Sequence, residues 1–268
     1  MTWDLKKLKD VKALVIDLDG CIYVGNAPIP GAPQAVRQLR SMAVKLIFLT
    51  NNSTLTRERY REKLATMGID VSVDEILTSG VVAARYISRK SKGAKVLPVA
   101  EDGFTKEAEN LGLIMLTPER WREAGYVVVG LDRKLTYEKL AKASLAVMAG
   151  AYFIATNLDH VYPSEEGFLP GAGSIASVIT TATGIKPYSV GKPEKEIAMQ
   201  ALEAVAESSE KVVFVGDRVD TDVMAAKAVN CRSVLVKTGA FKMFENRANE
   251  ADLVLDSIAD LPDAISTG

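Results

Sequence analysis

Two aspartates, Asp17 and Asp19, follow a short apolar run, residues 14–16, and are themselves followed by Gly20. Side chains two residues apart on an extended backbone project to the same side, so both carboxylates can address one ligand. The glycine then lets the chain turn away. Solvated loop acids give the same pattern, and the pair alone does not decide between the two interpretations.

A second acidic cluster follows another apolar run, residues 212–215, and comprises Asp217, Asp220 and Asp222. Repulsion between neighbouring carboxylates makes such a cluster costly unless a cation neutralises part of the charge. A hard divalent cation with oxygen ligands would do so, and Mg²⁺ is the first candidate. Loop acids facing solvent are the alternative interpretation here too.

Two further segments offer groups that bind anions. Hydroxyl, amide and backbone N–H groups in residues 50–53 (Thr-Asn-Asn-Ser) can hydrogen-bond phosphoryl oxygens, although a helix-capping loop has the same composition. Lys192 could place a positive charge on an anion, although most lysines in Gly-Lys-Pro turns face solvent. We expect the next residue, Pro193, to be the first residue of a helix.

The apolar runs 12–16, 44–49 and 212–215 predict central strands of a parallel sheet. Helix signals separate the first two runs and follow the second, with Pro33 in a first turn and Thr56 as a cap. This alternation predicts a doubly wound α/β sheet. Because the carboxyl ends of parallel strands meet at one crevice, the acids, Thr50 and Lys192 would form one site for a metal and a phosphate.

The middle of the chain, residues 81–187, has its own pattern of elements. Residues 95–99, 126–129 and 152–155 are strand candidates, and Thr136 caps a helix that extends to Met148. We therefore predict an inserted α/β domain at 81–187 within a core formed by residues 1–80 and 188–268.

Composition excludes several function classes. The chain has 268 residues with 33 basic and 34 acidic side chains, a net charge of −1, so no nucleic-acid partner is expected. The longest uncharged run, residues 167–185, is interrupted by Pro170 and three glycines, and we expect no membrane segment. The charged amino terminus has no apolar stretch for a secretory signal.

Cysteine and histidine usage narrows the chemistry further. Cys21 and Cys231 cannot form a disulfide framework and lack partners at zinc-ligand spacing, so we expect a reducing cytoplasm. His160 is the single histidine, which excludes a site of several histidines. A Ser-His-Asp or Cys-His triad would need His160 itself as the base, and we expect catalysis to rely on carboxylates. Residues 171–176 match a loose dinucleotide pattern, but no strand precedes them, and we predict a helix start instead.

In this order, the four segments resemble the motifs of the haloacid dehalogenase-like phosphohydrolases: residues 17–20, Thr50-Asn51, Lys192-Pro193, and Gly216-Asp217 with Asp222. Within that superfamily the chain resembles the NagD-like, or para-nitrophenyl phosphatase, branch at residues 50–53, 135–137, 155–157, 170–174 and 216–222. The resemblance implies a Rossmann-like core with a large α/β cap inserted between the second and third motifs.

The same resemblance implies roles for these residues. Asp17 would be the nucleophile that forms an aspartyl-phosphate, and Asp19 would protonate the leaving alcohol and then activate water. Thr50 and Lys192 would bind the transferring phosphoryl oxygens. Mg²⁺ would be held by Asp17, the Asp19 backbone carbonyl and Asp217, with Asp222 behind them.

Four more residues are implied as substrate contacts: Asn51, Asn52, Asn157 and Asp159. Leu158 stands where the branch commonly has proline, which puts the shape of this loop in doubt, and His160 beside it is kept only as a possible contact.

We therefore predict a cytoplasmic Mg²⁺-dependent phosphatase for a small phosphate monoester, with pairing of two copies through the cap as an implied option. The sequence leaves phosphoglycolate, glycerol phosphates, nucleoside monophosphates and sugar phosphates open as substrates. Two alternatives remain. One is a non-catalytic phospho-ligand binding protein, against which the intact acidic motifs argue. The other is a haloalkanoate dehalogenase, which would not need the proton donor Asp19.

Overall fold

A computed structural model describes residue 8, residues 10–164 and residues 167–267. The expected absence of a secretory signal concerns an amino-terminal segment that lies largely outside these residues. The chain divides into two compact units. Unit 1 takes in the chain up to Thr50, Glu58–Leu77 and the chain from Lys192 onward, and unit 2 takes in Asn51–Arg57 and Thr78–Gly191.

The strands, in chain order, are β1 (Ala13–Asp17), β2 (Tyr23–Val24), β3 (Ala27–Pro28), β4 (Lys45–Thr50), β5 (Ile76–Thr78), β6 (Lys95–Val99), β7 (Ile114–Met115), β8 (Tyr126–Val129), β9 (Tyr152–Ala155), β10 (Val161–Ser164), β11 (Gly167–Pro170), β12 (Tyr188–Ser189), β13 (Val212–Gly216), β14 (Arg232–Val236) and β15 (Leu253–Leu255). The α-helices are α1 (Ala32–Ser41), α2 (Arg57–Thr66), α3 (Ser79–Lys90), α4 (Asp102–Asn110), α5 (Tyr137–Met148), α6 (Ala172–Thr183), α7 (Lys195–Val205), α8 (Met224–Ala228) and α9 (Leu261–Thr267).

Unit 1 is built on a six-stranded sheet of order β15-β14-β13-β1-β4-β5. β1 lies in the middle and pairs in parallel with β4 on one side and β13 on the other. All five residues of β1 are buried, as a strand covered on both faces requires. The strand order reverses direction at β1, which is where open α/β sheets bind ligands.

Unit 2 has a five-stranded sheet of order β12-β9-β8-β6-β7, and every pairing in it is parallel. Its core packs Val99, Val127 and Phe153 from the sheet against Val147 of α5 and Ile179 of α6. The hairpin β10–β11 lies outside this sheet.

The α/β fold that the sequence predicts is confirmed. β6, β8 and β9 have the predicted bounds, and Thr136 caps α5 by accepting a hydrogen bond from the Lys139 N–H at 3.2 Å. The predicted start of α7 is wrong. The helix begins at Lys195 rather than Pro193, because Glu194 still has an extended backbone (φ −65°, ψ 148°) and caps the helix.

The units also divide at positions other than those the sequence indicates. The predicted boundaries follow residues 80 and 187, whereas the units divide after Leu77 and Gly191, and residues 51–57 pack with unit 2. In that segment Ser53 hydrogen-bonds Thr156, and Arg57 pairs with Glu107. Among the described residues, no helix is both long and apolar enough to cross a membrane.

Candidate active site

Three adjacent strands of unit 1 each carry a predicted site residue at or directly after the carboxyl end of the strand. Asp17 ends β1, Thr50 ends β4 and Asp217 follows β13 directly. Ile16 aligns with Val215, and Asp17 with Leu49, so these strand ends lie at one level of the sheet. The sheet thus delivers the predicted site residues to a single edge.

Lys192 lies at the centre of this edge and is buried. Its ammonium donates to Asp17 Oδ1 and, at 2.6 Å, to Asp222 Oδ1. Burial alone would lower the pKa of Lys192, but the charges of these two carboxylates outweigh burial and raise it. Lys192 is therefore held as a cation, which a phosphate-binding lysine needs to be.

Among the described residues, no ammonium or guanidinium group forms an ion pair with Asp217. Its Oδ2 accepts a hydrogen bond from the Ala240 N–H at 2.6 Å, whereas its buried Oδ1 has no hydrogen-bond partner among the residues that the structure describes. Burial, followed by the nearby Asp222 charge, raises the pKa of Asp217 to about 7. A cation beside Oδ1 would satisfy the oxygen and reverse this shift.

Asp222 is fixed by its own loop. Its Oδ2 accepts hydrogen bonds from the Arg218 N–H at 3.1 Å and the Thr221 hydroxyl at 3.3 Å, leaving Oδ1 for Lys192. Asp220 of the same motif points elsewhere and pairs with Arg218 at 2.9 Å. The structure therefore separates Asp220 from Asp217 and Asp222, although the sequence motif groups the three acids together.

Two glycines let the chain approach Asp217 closely. A Cβ at Gly20 would lie 2.2 Å from Asp217 Oδ2, and one at Gly239 would lie 2.1 Å from the same atom. Both residues have positive φ, +90° and +56°, which glycine adopts without strain. Thr238 joins the two segments by donating from its hydroxyl to the Gly20 carbonyl at 2.6 Å.

Asp17, Asp217 and Asp222 each offer a carboxylate oxygen, and these oxygens lie within 4.8 Å of one another. All three residues are buried, and the ammonium of Lys192 pairs with Asp17 and Asp222. Burial, with the Asp222 and Asp217 charges added to it, raises the pKa of Asp17 against the opposing effect of Lys192. This donor set of hard oxygens with surplus negative charge suits Mg²⁺.

Asp19 stands apart from the cluster and is half-buried. Its Oδ2 accepts hydrogen bonds from the Tyr23 hydroxyl at 3.2 Å and the Thr50 hydroxyl at 3.3 Å. Burial raises the pKa of Asp19 despite these contacts and the nearby charge of Lys63. A carboxyl group with a raised pKa can hold a proton for transfer.

The implied substrate contacts lie in unit 2 and form a network there. Asn51 donates to Asp159 Oδ2 at 2.9 Å, and Asn157 donates to the Asn51 carbonyl at 2.7 Å. The Asn157 Oδ1 accepts from the Asp159 N–H at 3.0 Å. The Asn52 Oδ1 accepts hydrogen bonds from the Thr54 N–H at 3.1 Å and from the Thr54 hydroxyl at 2.8 Å.

The exposed His160 and the glycine pair of the loose dinucleotide pattern belong to the same unit. The His160 carbonyl accepts from the Gly171 N–H at 2.8 Å and the Ser174 hydroxyl at 2.6 Å. A Cβ at Gly171 would lie 2.3 Å from the Asp159 carbonyl oxygen. The glycines therefore admit the backbone of Leu158 and Asp159 at the start of α6. The predicted helix start is confirmed, but the expectation that no strand precedes it is wrong, because β11 ends at Pro170.

Sequence reasoning missed two contributors to the site of unit 1. Tyr23 could have been noticed as a hydroxyl four residues after Asp19 in the turn that follows Gly20. The segment Thr238–Ala240 follows the strand β14, so the rule about carboxyl ends would have flagged it had that strand been considered.

Comparisons with known proteins agree with this geometry. Residues 14–114 match the family model for haloacid dehalogenase-like hydrolases, and residues 189–261 match a second model for hydrolases of this type. An acid sugar phosphatase of Staphylococcus aureus (strain MRSA252) is 41% identical over 259 residues, covering 97% of this chain and 98% of the relative.

Two solved structures resemble the whole chain. A p-nitrophenyl phosphatase from Archaeoglobus fulgidus superposes with a TM-score of 0.89 at 36% identity, covering 95% of this chain and 99% of its own. A 4-nitrophenylphosphatase from Thermotoga maritima gives a TM-score of 0.90 at 32% identity, covering 97% and 99%. The chain therefore belongs to the haloacid dehalogenase-like hydrolases and, within them, to the NagD-like branch of phosphatases.

Proposed function

We propose that the chain is a Mg²⁺-dependent phosphatase that hydrolyses a small phosphate monoester through an aspartyl-phosphate on Asp17. The observation that carries this proposal is the buried cluster of Asp17, Asp217 and Asp222 around a single lysine. Burying three carboxylates with one ammonium is unfavourable in a purely structural role, whereas a site for a cation and a phosphoryl group requires it.

Mg²⁺ would be held by Asp17, Asp217 and the backbone carbonyl of Asp19, with Asp222 behind them. The unsatisfied Oδ1 of Asp217 and the absence of room for a side chain at Gly20 and Gly239 fit such a ligand set. When bound, the cation would neutralise carboxylate charge and the charge of the phosphoryl oxygens.

In the first half-reaction, a carboxylate oxygen of Asp17 attacks the phosphorus, and the bond from phosphorus to the ester oxygen breaks. Asp19 gives its proton to the departing oxygen, so the product leaves as an alcohol. Lys192 and Thr50 would bind the phosphoryl oxygens through this transfer.

In the second half-reaction, the deprotonated Asp19 takes a proton from water, whose oxygen attacks the phosphorus of the aspartyl-phosphate. The bond from phosphorus to Asp17 breaks, which releases inorganic phosphate and restores the Asp17 carboxylate. Asp19 is protonated again at the end, so the cycle closes with no other proton carrier.

Sugar phosphates are the first substrates to test, since the Staphylococcus aureus relative is named an acid sugar phosphatase. We propose that unit 2 acts as the substrate-reading cap, with Asn51, Asn52, Asn157 and Asp159 as its contact residues. A cytoplasmic location, supported by two free and buried cysteines, and pairing of two copies through unit 2 belong to the same proposal.

The decisive variant is Asp17→Asn, which removes the nucleophile and keeps the shape of the side chain. With Mg²⁺ present, we expect release of p-nitrophenol and of phosphate from sugar phosphates to fall about 10⁴-fold or more. Asp220→Asn is the matched control, because Asp220 lies outside the cluster, and we expect it to stay active.

Retained turnover in Asp17→Asn would refute the nucleophile assignment. A wild-type protein that binds phosphate esters without releasing phosphate from any of a broad panel would favour the binding protein instead. Chloride release from 2-chloropropionate would favour the dehalogenase.

A further inference from the structure

We infer that Tyr23 is a positioning residue for Asp19: its hydroxyl, together with that of Thr50, occupies Oδ2 of Asp19 and leaves Oδ1 to carry the transferred proton. This inference rests on the proposed function, in which Asp19 is the general acid. It adds a residue that none of the four motifs includes.

The contacts around Asp19 are one-sided. Both hydroxyls donate to the same oxygen, Oδ2, at 3.2 Å from Tyr23 and 3.3 Å from Thr50. A protonated carboxyl group carries its hydrogen on one oxygen, and an oxygen that already accepts two hydrogen bonds is the poorer place for it. The proton therefore resides on Oδ1, and the side chain is oriented as a donor through that atom.

The backbone fixes Tyr23 and Asp19 relative to each other. The Gly20 N–H donates to the Tyr23 carbonyl at 2.7 Å, and the Ile22 N–H donates to the Leu18 carbonyl at 2.9 Å. Tyr23 then enters the hairpin β2–β3, where it pairs with Pro28. One closed turn thus holds both the acid and its hydroxyl donor.

The ring of Tyr23 is held as firmly as its backbone. The residue is fully buried, at 0% exposure, and the ammonium of Lys63 lies 3.7 Å from the ring centroid. A cation on the face of a phenol draws electron density from it and strengthens its O–H as a donor. Lys63 therefore supports the contact to Asp19 without touching the reacting atoms.

A positioning role differs from a packing role in how it depends on the leaving group. The alkoxide released from an alkyl phosphate is a strong base and needs the proton of Asp19, whereas p-nitrophenolate is a weak base and leaves without it. A misplaced proton on Asp19 should therefore impair cleavage of alkyl esters selectively. Loss of packing would affect both esters alike.

The test is Tyr23→Phe, which keeps the ring over Lys63 and removes only the hydroxyl. Values of kcat/KM with Mg²⁺ would be measured for p-nitrophenyl phosphate and for an alkyl ester, glycerol 1-phosphate or a hexose phosphate that the wild type hydrolyses. The value of kcat/KM reports the steps up to the first irreversible one, which is phosphoryl transfer to Asp17. The later hydrolysis of the aspartyl-phosphate, which is common to both esters, therefore does not affect it.

We expect kcat/KM for the alkyl ester to fall about 30-fold, part of the full effect of a general acid, and that for p-nitrophenyl phosphate to change less than about threefold. Lys63→Met, which leaves Tyr23 in place, should reduce the alkyl rate by about threefold with the same selectivity. Adding Tyr23→Phe to Asp19→Asn should produce no further selectivity, because the proton is already missing.

Equal losses on both esters in Tyr23→Phe, or a further increase in selectivity when Tyr23→Phe is added to Asp19→Asn, would overturn the positioning role. That failure is distinguishable from failure of the proposed function. If Asp17→Asn is inactive while Tyr23→Phe impairs both esters equally, the phosphatase mechanism stands and only the inference about Tyr23 falls.

Discussion

Both units have a parallel α/β sheet, but their buried acidic residues differ in how they are paired with cations. In unit 2, Asp132 pairs with Lys139 at 2.6 Å and accepts the Lys134 N–H at 2.9 Å. Glu107 in the same unit pairs with Arg57 at 2.7 Å. Each of these acids pairs with a cation.

In unit 1, Asp17 and Asp222 share the ammonium of Lys192, and one oxygen of the neighbouring Asp217 stays unsatisfied within the described part of the chain. The fold holds these charges together through the backbone, by the strand ends and by the close approach of Gly20 and Gly239 to Asp217. Matched acids contribute stability, whereas unmatched acids cost stability and are available to ligands. The difference shows that it is the balance of buried charge, rather than the type of sheet, that distinguishes the unit in which we propose the active site.

The largest effect is expected from removing a lysine. Two variants are compared, one without Lys192 of unit 1 and one without Lys139 of unit 2. Lys192→Met leaves three buried carboxylates without a cation, and we expect kcat to fall by about 10³-fold or more, together with a loss of about 3 kcal/mol in the free energy of unfolding. Lys139→Met leaves one buried acid that retains its backbone hydrogen bond, and we expect a smaller loss of about 2 kcal/mol with kcat within about threefold of wild type.

The measurements are urea unfolding and steady-state kinetics on the two variants side by side. A fall in kcat for Lys139→Met as large as that for Lys192→Met would contradict the contrast between the units.

The next test concerns the Mg²⁺ that we propose the acids of unit 1 bind. Mg²⁺ at one hundred times its dissociation constant should stabilise the wild type by about 2.7 kcal/mol, seen as a rise in melting temperature. Asp217→Asn keeps an acceptor for the Ala240 N–H but removes a charged ligand, so this stabilisation should largely disappear.

Asp220→Asn serves as its control, because Asp220 lies in the same loop and pairs with Arg218 outside the cluster. We expect it to keep the full response to Mg²⁺. Equal responses in the two variants would show that the cation binds elsewhere.

The features that the sequence predicts correctly are those determined by residues close to one another in the chain. The bounds of β6, β8 and β9 are correct because each strand is a short apolar run, and Thr136 caps α5 because its hydroxyl reaches only to Lys139 in the next turn. The acids of unit 1 are predicted to meet because parallel strand ends converge, and they do so.

The remainder depends on contacts distant in sequence. Residues 51–57 pack with unit 2 through the pair Arg57–Glu107, 50 positions apart, and no local pattern in the segment indicates that partner. Gly239 approaches Asp217 because Thr238 bonds to Gly20, 218 positions away. The predicted start of α7 is wrong because proline is favoured in the first turn of a helix but does not by itself make a helix begin there.

The smallest expected effect lies in unit 2, where a matched acid should show the pH dependence of an ordinary ion pair. Glu101 accepts hydrogen bonds from Arg133 Nε at 2.8 Å and Nη2 at 2.7 Å. Partial burial alone would raise the pKa of Glu101, but the Arg133 hydrogen bonds outweigh burial and lower it. A carboxyl group with a lowered folded-state pKa adds stability above its unfolded value, near 4.5, and loses it as the pH falls through the folded value.

Arg133→Met should therefore cost about 0.5 kcal/mol at pH 7, a small figure because the arginine is largely exposed. The difference from wild type in urea unfolding should shrink as the pH is lowered below about 4.5, where Glu101 takes up a proton. In a Glu101→Gln background the same substitution should show no such pH dependence, since no carboxyl group titrates there. A cost that stays constant or grows on acidification would mean that Arg133 stabilises the fold through contacts other than an ion pair with Glu101.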